Sequence, residues 1–246
     1  AQAPQTDEAA LFEASGEKTF EYTSGERTSC LVEMDEEPPH AVNKAALQVA
    51  LQVAKALNAK IVNEIHMMRK TIVDGSVVSG FQRTALVGIN GKLKIEGKTI
   101  GISAICLEEE SARIMEKQDN KRPAYGLDRQ GIPLIEIATA PDIDSPELAK
   151  KVALEIGEIL RNTGKVQRGL GTIRQDINIS IQGGERIEVK GCQELDAIEG
   201  IVKNEVERQN KLIEIKQVLL KRSPKPEFKV LDVTKVFHNT QSKIIS

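Results

Sequence analysis

Two neighbouring stretches in which polar and apolar residues alternate, except at Gln175, constrain the fold of this chain more than any other feature. In residues 172–180, three isoleucines alternate with Thr, Arg, Asp, Asn and Ser. Residues 186–190 repeat the pattern, with isoleucine and valine between charged residues. A period of two indicates a β-strand with one buried face. The two stretches therefore predict an antiparallel hairpin with its apolar face packed on helices.

The polar face of this hairpin carries the clearest chemical pattern in the chain. A loop of residues 183–185 places Ser180 opposite Glu188 and Asn178 opposite Lys190, and this is the register we predict. The face also presents Arg174 and Asp176. It is either a solvated outer surface or a polar floor that binds a ligand, and its density of Arg, Asp and Asn favours the second interpretation.

Helices and further strands flank this hairpin. Apolar residues at helical spacing predict helices over residues 43–58, 145–162 and 194–222. Short apolar runs predict strands over residues 61–68, 83–89, 92–95 and 99–107. Because the strands are mostly joined as hairpins, with no regular alternation of strand and helix, we expect an α+β fold. In it, an antiparallel sheet forms a cradle packed on helices.

The helical stripes predict which helix faces pack on the sheet. For the first helix the predicted core positions are Ala46, Val49, Ala50, Val53, Ala54 and Leu57. For the second helix they are Leu148, Val152, Leu154, Ile156 and Ile159. Ser145 and Pro146 are typical of an N-cap and a first helical position, so they predict where the second helix begins.

Composition excludes several classes of protein. With 246 residues, 40% apolar and 28% charged, the chain is typical of a globular protein with a real core. A net charge of −2 gives no global signal for nucleic acid, so an RNA site would be a local basic patch. Three distant cysteines without C-x-x-C spacing argue against a disulfide framework or a zinc site and favour a reducing cytoplasm. No apolar run reaches the roughly 20 residues of a membrane helix.

Glu136 stands inside the apolar run of residues 131–141, which predicts a short strand bounded by turn residues. An ionised carboxylate buried there costs about 3–5 kcal/mol unless a cation, a metal or hydrogen-bond donors meet it. On an exposed strand face it costs almost nothing. Glu136 is therefore either a ligand or an ordinary edge residue.

Two other segments carry residues suited to a site. Residues 106–113 place Glu108, Glu109 and Glu110 at a strand end, which is either part of a site or a solvated turn. Residues 69–84 form a Gly- and Ser-rich loop between basic residues, which either offers N–H groups and cations to phosphate or is a long hairpin loop. Carboxylates mixed with Arg and Lys suit a Mg²⁺–nucleotide site. The three histidines stand alone, and we interpret His40, His66 and His238 as incidental.

Several ordered motifs resemble one known family. They are Met68-Arg-Lys-Thr-Ile-Val-Asp-Gly-Ser76, Ser79-Gly-Phe-Gln-Arg-Thr84, Ile105-Cys-Leu-Glu-Glu109, Leu127-Asp-Arg129, Gly131-Ile-Pro-Leu-Ile-Glu-Ile-Ala138 and Arg168-Gly-Leu-Gly-Thr-Ile-Arg-Gln-Asp176. Together they resemble the E subunit of archaeal glutamyl-tRNA(Gln) amidotransferase, a relative of the B subunit found in bacteria and organelles. The likeness covers roughly residues 21–246.

The resemblance implies an ATP-dependent carbon–nitrogen ligase of protein biosynthesis. Enzymes of this family phosphorylate the γ-carboxylate of glutamate carried by tRNA(Gln), and ammonia then displaces phosphate to give Gln-tRNA(Gln). The ammonia comes from an asparaginase-like glutaminase, the D subunit of the same enzyme. The resemblance also implies a core similar to glutamine synthetase, with ATP and Mg²⁺ as cofactors and a cytoplasmic location.

The resemblance also assigns roles to individual residues. The acids expected around Mg²⁺ are Glu109, Glu136, Asp176 and Glu188, with the choice of Glu109 over its two neighbours left open. The residues expected to act in catalysis are Glu136, Lys70 and Arg174. The residues expected to bind the nucleotide are Arg83, Lys190 and Ser79.

The resemblance further implies a domain organisation. We expect a variable lead-in over residues 1–20, a catalytic cradle over residues 21–222, and a linker with the start of another domain over residues 223–246. The family's first strand, with a Gly-Leu-Glu-Ile-His-type motif, has no match before Lys60, and the chain stops where the family continues. An alternative is therefore a non-catalytic tRNA-binding or assembly fragment of the same amidotransferase.

Overall fold

The computed structural model describes residues 8–32, 36–115, 122–169, 171–225, 228 and 230–241. The chain divides into two compact units. The first unit comprises Ala1–Gln175 with Gly191–Glu199, and the second comprises Asp176–Lys190 with Gly200–Ser246. The domain boundaries predicted at residues 20 and 222 stay predictions.

The described residues contain helices and mainly antiparallel strands, which confirms the α+β class. The helices are α1 (Glu8–Ser15), α2 (Lys44–Ala56), α3 (Pro146–Asn162) and α4 (Leu195–Arg222). The strands are β1 (Glu21–Thr23), β2 (Lys60–Ile61), β3 (Met67–Thr71), β4 (Phe81–Ile95), β5 (Lys98–Glu109), β6 (Arg113–Ile114), β7 (Ala124–Gly126), β8 (Pro133–Thr139), β9 (Gln175–Ile179) and β10 (Ile187–Cys192). The likeness of the core to glutamine synthetase stays a prediction.

The ends of α2 and α3 follow from their capping residues. The Asn43 side chain accepts a hydrogen bond from the Ala46 N–H at 3.0 Å, and Ser145 accepts one from the Leu148 N–H at 3.2 Å. Each cap satisfies a backbone donor that would otherwise lack a partner in the first turn. Both predicted helices are confirmed. The prediction that Leu154 belongs to the core is wrong, because Leu154 is 42% exposed.

The first unit is built around one sheet of order β2-β4-β5-β8, with β3 also paired to β4. All of these pairs are antiparallel. The strands predicted over residues 83–89 and 92–95 are one continuous strand, because Ile89 and Gly91 both pair with β5. Asn90, between them, adopts a left-handed conformation (φ 54°) without interrupting the strand. The strand predicted over residues 61–68 is interrupted, since residues 62–66 separate β2 from β3.

Helices α2 and α3 cover one face of this sheet and form the main core with it. The fully buried side chains include Val53 of α2, its C-cap residue Leu57, Val87 of β4, and Ile100, Ile102 and Ile105 of β5. Burying a side chain of this size contributes about 1.5–3 kcal/mol. The other face of the sheet is therefore the one available for polar chemistry.

Gly91 marks a close approach between the sheet and α2. A Cβ at this position would lie 2.8 Å from the Leu57 carbonyl oxygen, which already accepts a hydrogen bond from the Lys92 N–H at 2.7 Å. We expect Gly91→Ala to lower the free energy of unfolding by about 1–3 kcal/mol. Gly157, inside α3 with open space around it, is the matched control. There the same substitution is expected to stabilise by about 0.5–1 kcal/mol. Urea unfolding of both variants measures the difference, and a Gly91→Ala variant as stable as the parent would contradict this packing.

A second, three-stranded sheet forms where the sequence predicts only a lead-in and connections. Strand β1 pairs with β7 in parallel, and β6 pairs with β7 antiparallel. Helix α1 lies within the predicted lead-in, at Glu8–Ser15. Residues 36–39, before α2, form neither helix nor strand.

The polar and apolar alternation of the predicted hairpin is confirmed along β9 and β10. Asp176, Asn178, Glu188 and Lys190 are exposed, and the residues between them are partly or fully buried. The connection, residues 180–186, is longer than the predicted three-residue loop, because the Gly184 N–H donates to the Ile181 carbonyl at 3.0 Å and forms a turn there. The predicted register stays a prediction. No helix among the described residues combines the length and apolarity needed to cross a membrane.

Candidate active site

The face of the main sheet opposite α2 and α3, which we call the polar face, gathers charged and polar side chains from four strands. Strand register pairs Thr84 with Glu108, and Cys106 with Glu136. Lys70 pairs with Gln82 on the neighbouring strands. Because directly opposed residues point to the same side of a sheet, these side chains share one face.

Glu108 is the buried acid of the polar face, with only 4% of its side chain exposed. Lys70 Nζ donates to Oε1 at 3.2 Å, and so does the Thr84 hydroxyl at 3.2 Å. Gln82 Nε2 donates to Oε2 at 3.3 Å. A buried carboxylate with this set of donors is satisfied and held in one orientation.

Lys70 connects Glu108 to Glu136. Its Nζ atom lies 4.0 Å from Glu136 Oε2, and the Lys70 and Glu136 side chains are 49% and 52% exposed. Burial lowers the pKa of Lys70, but the charge and hydrogen bond of Glu108, with the charge of Glu136, outweigh this and raise the pKa above its ordinary value. The lysine is therefore a fixed cation between two carboxylates, and Glu136 keeps an accessible side.

The pKa of the Cys106 thiol depends on these carboxylates, because Cys106 lies on the same face of the sheet. Burial raises the pKa of Cys106, and the negative charges of Glu136 and Glu108 raise it further. Replacing Glu136 by Gln removes one of these charges, so the pKa falls and the thiolate fraction grows at a fixed pH. We expect Cys106 of Glu136→Gln to react faster with iodoacetamide near pH 8, measured by mass spectrometry of the peptide.

The control for this measurement is Glu109→Gln, because Glu109 lies on the other face of the sheet. Its alkylation rate at Cys106 is expected to match that of the parent chain. An unchanged rate in Glu136→Gln would contradict the placement of Glu136 beside Cys106.

Glu109, which the resemblance implies as a metal-binding partner of Glu136, occupies the helix-side face of the sheet. It follows the buried residues Ile105 and Leu107 in the alternation of β5. There the Arg83 guanidinium binds Glu109 Oε1 and also donates to the His40 carbonyl at 2.6 Å. The structure does not bring Glu109 and Glu136 together, and the acid that shares the face of Glu136 is Glu108.

This geometry also separates Arg83 from the polar face. Its side chain is only 14% exposed and is engaged by Glu109. Ser79, the other predicted nucleotide-binding residue of this unit, donates its hydroxyl to the Phe81 carbonyl at 3.3 Å. Both residues therefore have structural partners in this conformation.

The loop before β4 is held by two aromatic residues. The hydroxyl of Tyr22 donates to the Gly75 carbonyl at 2.7 Å, and the hydroxyl of Tyr125 donates to the Asp74 carbonyl at 2.8 Å. The two rings stack with centroids 5.9 Å apart. Asp74 in turn accepts hydrogen bonds from the Ser76 N–H and hydroxyl. The predicted phosphate-binding loop is therefore an ordered part of the first unit.

Glu110 ends the row of acids and binds two arginines. Arg129 Nη2 lies 3.0 Å from Glu110 Oε2, and Arg174 Nη2 lies 2.6 Å from the same oxygen. The sequence predicts a catalytic role for Arg174, whereas Arg129 stands only within the Leu127-Asp-Arg129 motif. A residue at a turn gives no periodic signal, so only the folded chain reveals that Arg129 joins this group.

The remaining predicted residues belong to the second unit. Asp176 and Glu188 lie on the exposed face of β9 and β10, and Lys190 Nζ lies 3.3 Å from Glu188 Oε2. Lys190 is 73% exposed. Their roles at a metal or nucleotide stay predictions.

The donors of the polar face fit Mg²⁺ that arrives with a nucleotide. Within the described part of the chain, no three His, Cys, Asp or Glu side chains come together as a metal cage. Glu136 instead offers one accessible carboxylate, whereas the oxygens of the buried Glu108 already accept hydrogen bonds from Lys70, Gln82 and Thr84. Mg²⁺ is commonly held by one or two carboxylates together with substrate phosphates.

Comparisons with known proteins agree with the motifs. The family model described as the GatB/GatE catalytic domain matches residues 8–245, so the similarity extends into the predicted lead-in. The E subunit of glutamyl-tRNA(Gln) amidotransferase from Archaeoglobus fulgidus is 55% identical over 241 residues, covering 98% of this chain and 39% of that protein. The E subunits of Pyrococcus horikoshii and Saccharolobus solfataricus are 54% and 53% identical, each covering 98% of this chain and 38% of the relative. The chain thus spans about two fifths of the length of these curated relatives.

Proposed function

The chain belongs to the family of GatB/GatE catalytic domains, and from this we propose that it is the catalytic region of a tRNA-dependent amidotransferase. The reaction we assign is the ATP-dependent conversion of Glu-tRNA(Gln) to Gln-tRNA(Gln). The γ-carboxylate of the glutamyl group takes the γ-phosphoryl group of ATP, and ammonia then displaces phosphate. The curated relatives named above carry the name of this amidotransferase.

One observation carries this proposal: the row formed by Glu108, Lys70 and Glu136 on the polar face. It combines a buried, oriented carboxylate, a cation fixed between two acids and a second, half-exposed carboxylate. Phosphoryl transfer depends on positioned charges of this kind rather than on covalent chemistry by the protein.

Individual residues then take distinct roles. Glu108 orients Lys70, and Lys70 offers its ammonium to a phosphate oxygen on the polar face. Glu136, being accessible, is the acid that faces the nucleotide, and Arg174 neutralises phosphate charge. Glu108 replaces Glu109 in this assignment because it shares the face of Glu136.

Mg²⁺ is the metal that this site would hold, through the accessible carboxylate of Glu136 together with phosphate oxygens of the nucleotide. When bound, it would supply positive charge against the negative charge that builds on the transferred group. Asp176 and Glu188, the other two predicted acids, belong to the second unit, and their role at a metal stays a prediction.

The partners follow from the same proposal. The substrate is tRNA(Gln) charged with glutamate, and the source of ammonia is an asparaginase-like glutaminase, the D subunit of the enzyme. The net charge of −2 leaves tRNA binding to local basic residues or to parts of a longer protein.

The experiment is conversion of Glu-tRNA(Gln) by the full-length protein with its glutaminase partner, with and without ATP. We expect Gln-tRNA(Gln) only when ATP and Mg²⁺ are present, with one ADP and one phosphate released per product. Product formation without ATP would contradict the proposal. No conversion by a complete, folded complex would favour a non-catalytic tRNA-binding or assembly role.

A further inference from the structure

The two arginines on Glu110 leave a local excess of positive charge. Both guanidiniums bind the same oxygen, Glu110 Oε2, and the Glu110 side chain is only 14% exposed. One carboxylate neutralises one guanidinium, so the group of Glu110, Arg129 and Arg174 carries a net charge of +1. The two arginine side chains remain 39% and 36% exposed.

Each arginine of this pair also has N–H donors that Glu110 does not use. A guanidinium carries five N–H donors, and each of these arginines uses its Nη2 atom on Glu110. Among the described residues, neither side chain has another protein acceptor within hydrogen-bonding distance. Two arginines held side by side, each with free N–H groups, match the oxygens of a phosphate.

The position of this pair indicates which phosphate it would bind. Glu110 stands two residues beyond Glu108, and its backbone continues the pairing through the Glu110 N–H to the Ile132 carbonyl at 2.8 Å. Residues two apart along a strand point to the same face and lie about 7 Å apart. The arginine pair therefore borders the polar face at the end of β5 that carries Glu108.

We propose that Arg129 and Arg174 together bind a phosphate group of the nucleotide, and that Glu110 positions both guanidiniums for this task. This inference rests on the proposed function and adds a binding residue, Arg129, and a positioning residue, Glu110. A nucleotide phosphate is favoured over an RNA backbone because the acids of the adjoining polar face suit the Mg²⁺ that accompanies a nucleotide.

The test is a calorimetric titration of the 246-residue chain with inorganic triphosphate at low ionic strength. We expect the parent chain to bind it, and Arg129→Gln and Arg174→Gln each to weaken the affinity about tenfold or more. Arg129→Lys keeps the charge but not the planar fork, so its loss should be intermediate. Arg113→Gln is the matched control, since Arg113 pairs one-to-one with Asp128 at 3.2 Å, and its affinity should stay unchanged.

The inference would be overturned by any of three outcomes. These are that the parent chain does not bind triphosphate, that the Arg129 variants bind it like the parent, or that Arg113→Gln loses as much affinity as the others. A parallel titration with single-stranded RNA separates the sources of phosphate. If the variants lose only RNA binding, the nucleotide assignment falls.

The activity assay separates this inference from the proposed function. ATP-dependent amidation by full-length Arg129→Gln at the parent rate and parent KM for ATP would remove the arginine site and leave the proposed function intact. We expect a raised KM for ATP in this variant. Glu110→Gln should raise the KM for ATP as well, because it releases both guanidiniums, and Arg113→Gln should not.

Discussion

Glu136→Gln in the full-length protein is expected to lower the rate of ATP-dependent amidation about 100-fold or more. Gln is close to Glu in size, so the substitution removes the charge and little else. Removing one oriented electrostatic group from a transition-state site typically costs about 100–1000-fold in rate. The Glu136 side chain is 52% exposed, so we expect no comparable loss of stability.

Glu155→Gln is the control for this measurement, because Glu155 lies exposed on α3, away from the polar face. Its amidation rate should equal that of the parent. A Glu136→Gln enzyme with the parent rate would show that Glu136 is an edge residue in solvent and that the active site is wrongly assigned.

Glu108→Ala is expected to reduce both activity and stability. The substitution leaves the buried Thr84 hydroxyl without its carboxylate acceptor and frees Lys70. One N–H of the Gln82 amide also loses its acceptor, while the amide keeps its hydrogen bond to the Glu109 carbonyl. Losing the acceptor of these donors costs about 2–3 kcal/mol in unfolding free energy, with little from Lys70 because that side chain is half exposed. Amidation should fall at least about tenfold, because Lys70 loses the carboxylate that orients it.

The stability part of this prediction can be followed by near-UV circular dichroism during urea unfolding. The chain has two tyrosines, Tyr22 and Tyr125, and both lie in the first unit. Thr84→Val, which removes one donor and leaves Glu108 in place, should cost only about 1 kcal/mol. Equal stability of Glu108→Ala and the parent would contradict the burial of this carboxylate.

The sequence predicted those elements whose signal is local. Asn43 and Ser145 are caps with a single geometric role, and both helices begin at them as expected. The alternation along β9 and β10 was also read correctly, because a half-buried strand has a period of two whatever it packs against.

Features that depend on partners distant in sequence could not be predicted in this way. Leu154 fits the apolar stripe of α3 but is exposed, because a stripe does not say how far the sheet extends beneath a helix. The parallel pairing of β1 with β7 joins residues about a hundred positions apart, and neither strand carries a periodic signal at three residues in length.

The roles of Glu108, Glu109 and Glu110 also depend on partners distant in sequence. Three consecutive glutamates carry no period, so the sequence left Glu108, Glu109 and Glu110 equivalent. The structure separates them through the alternation of β5. Glu108 faces Lys70, Glu109 faces Arg83, and Glu110 binds two arginines.

Binding of Mg²⁺–ATP to the 246-residue chain tests most directly whether the polar face is a nucleotide site. Calorimetric titration of the parent chain should give saturable binding at one site. Glu136→Gln should weaken that binding about tenfold or more, while Glu155→Gln binds like the parent. Equal affinities of the parent chain and Glu136→Gln would contradict the assignment of ATP to this face.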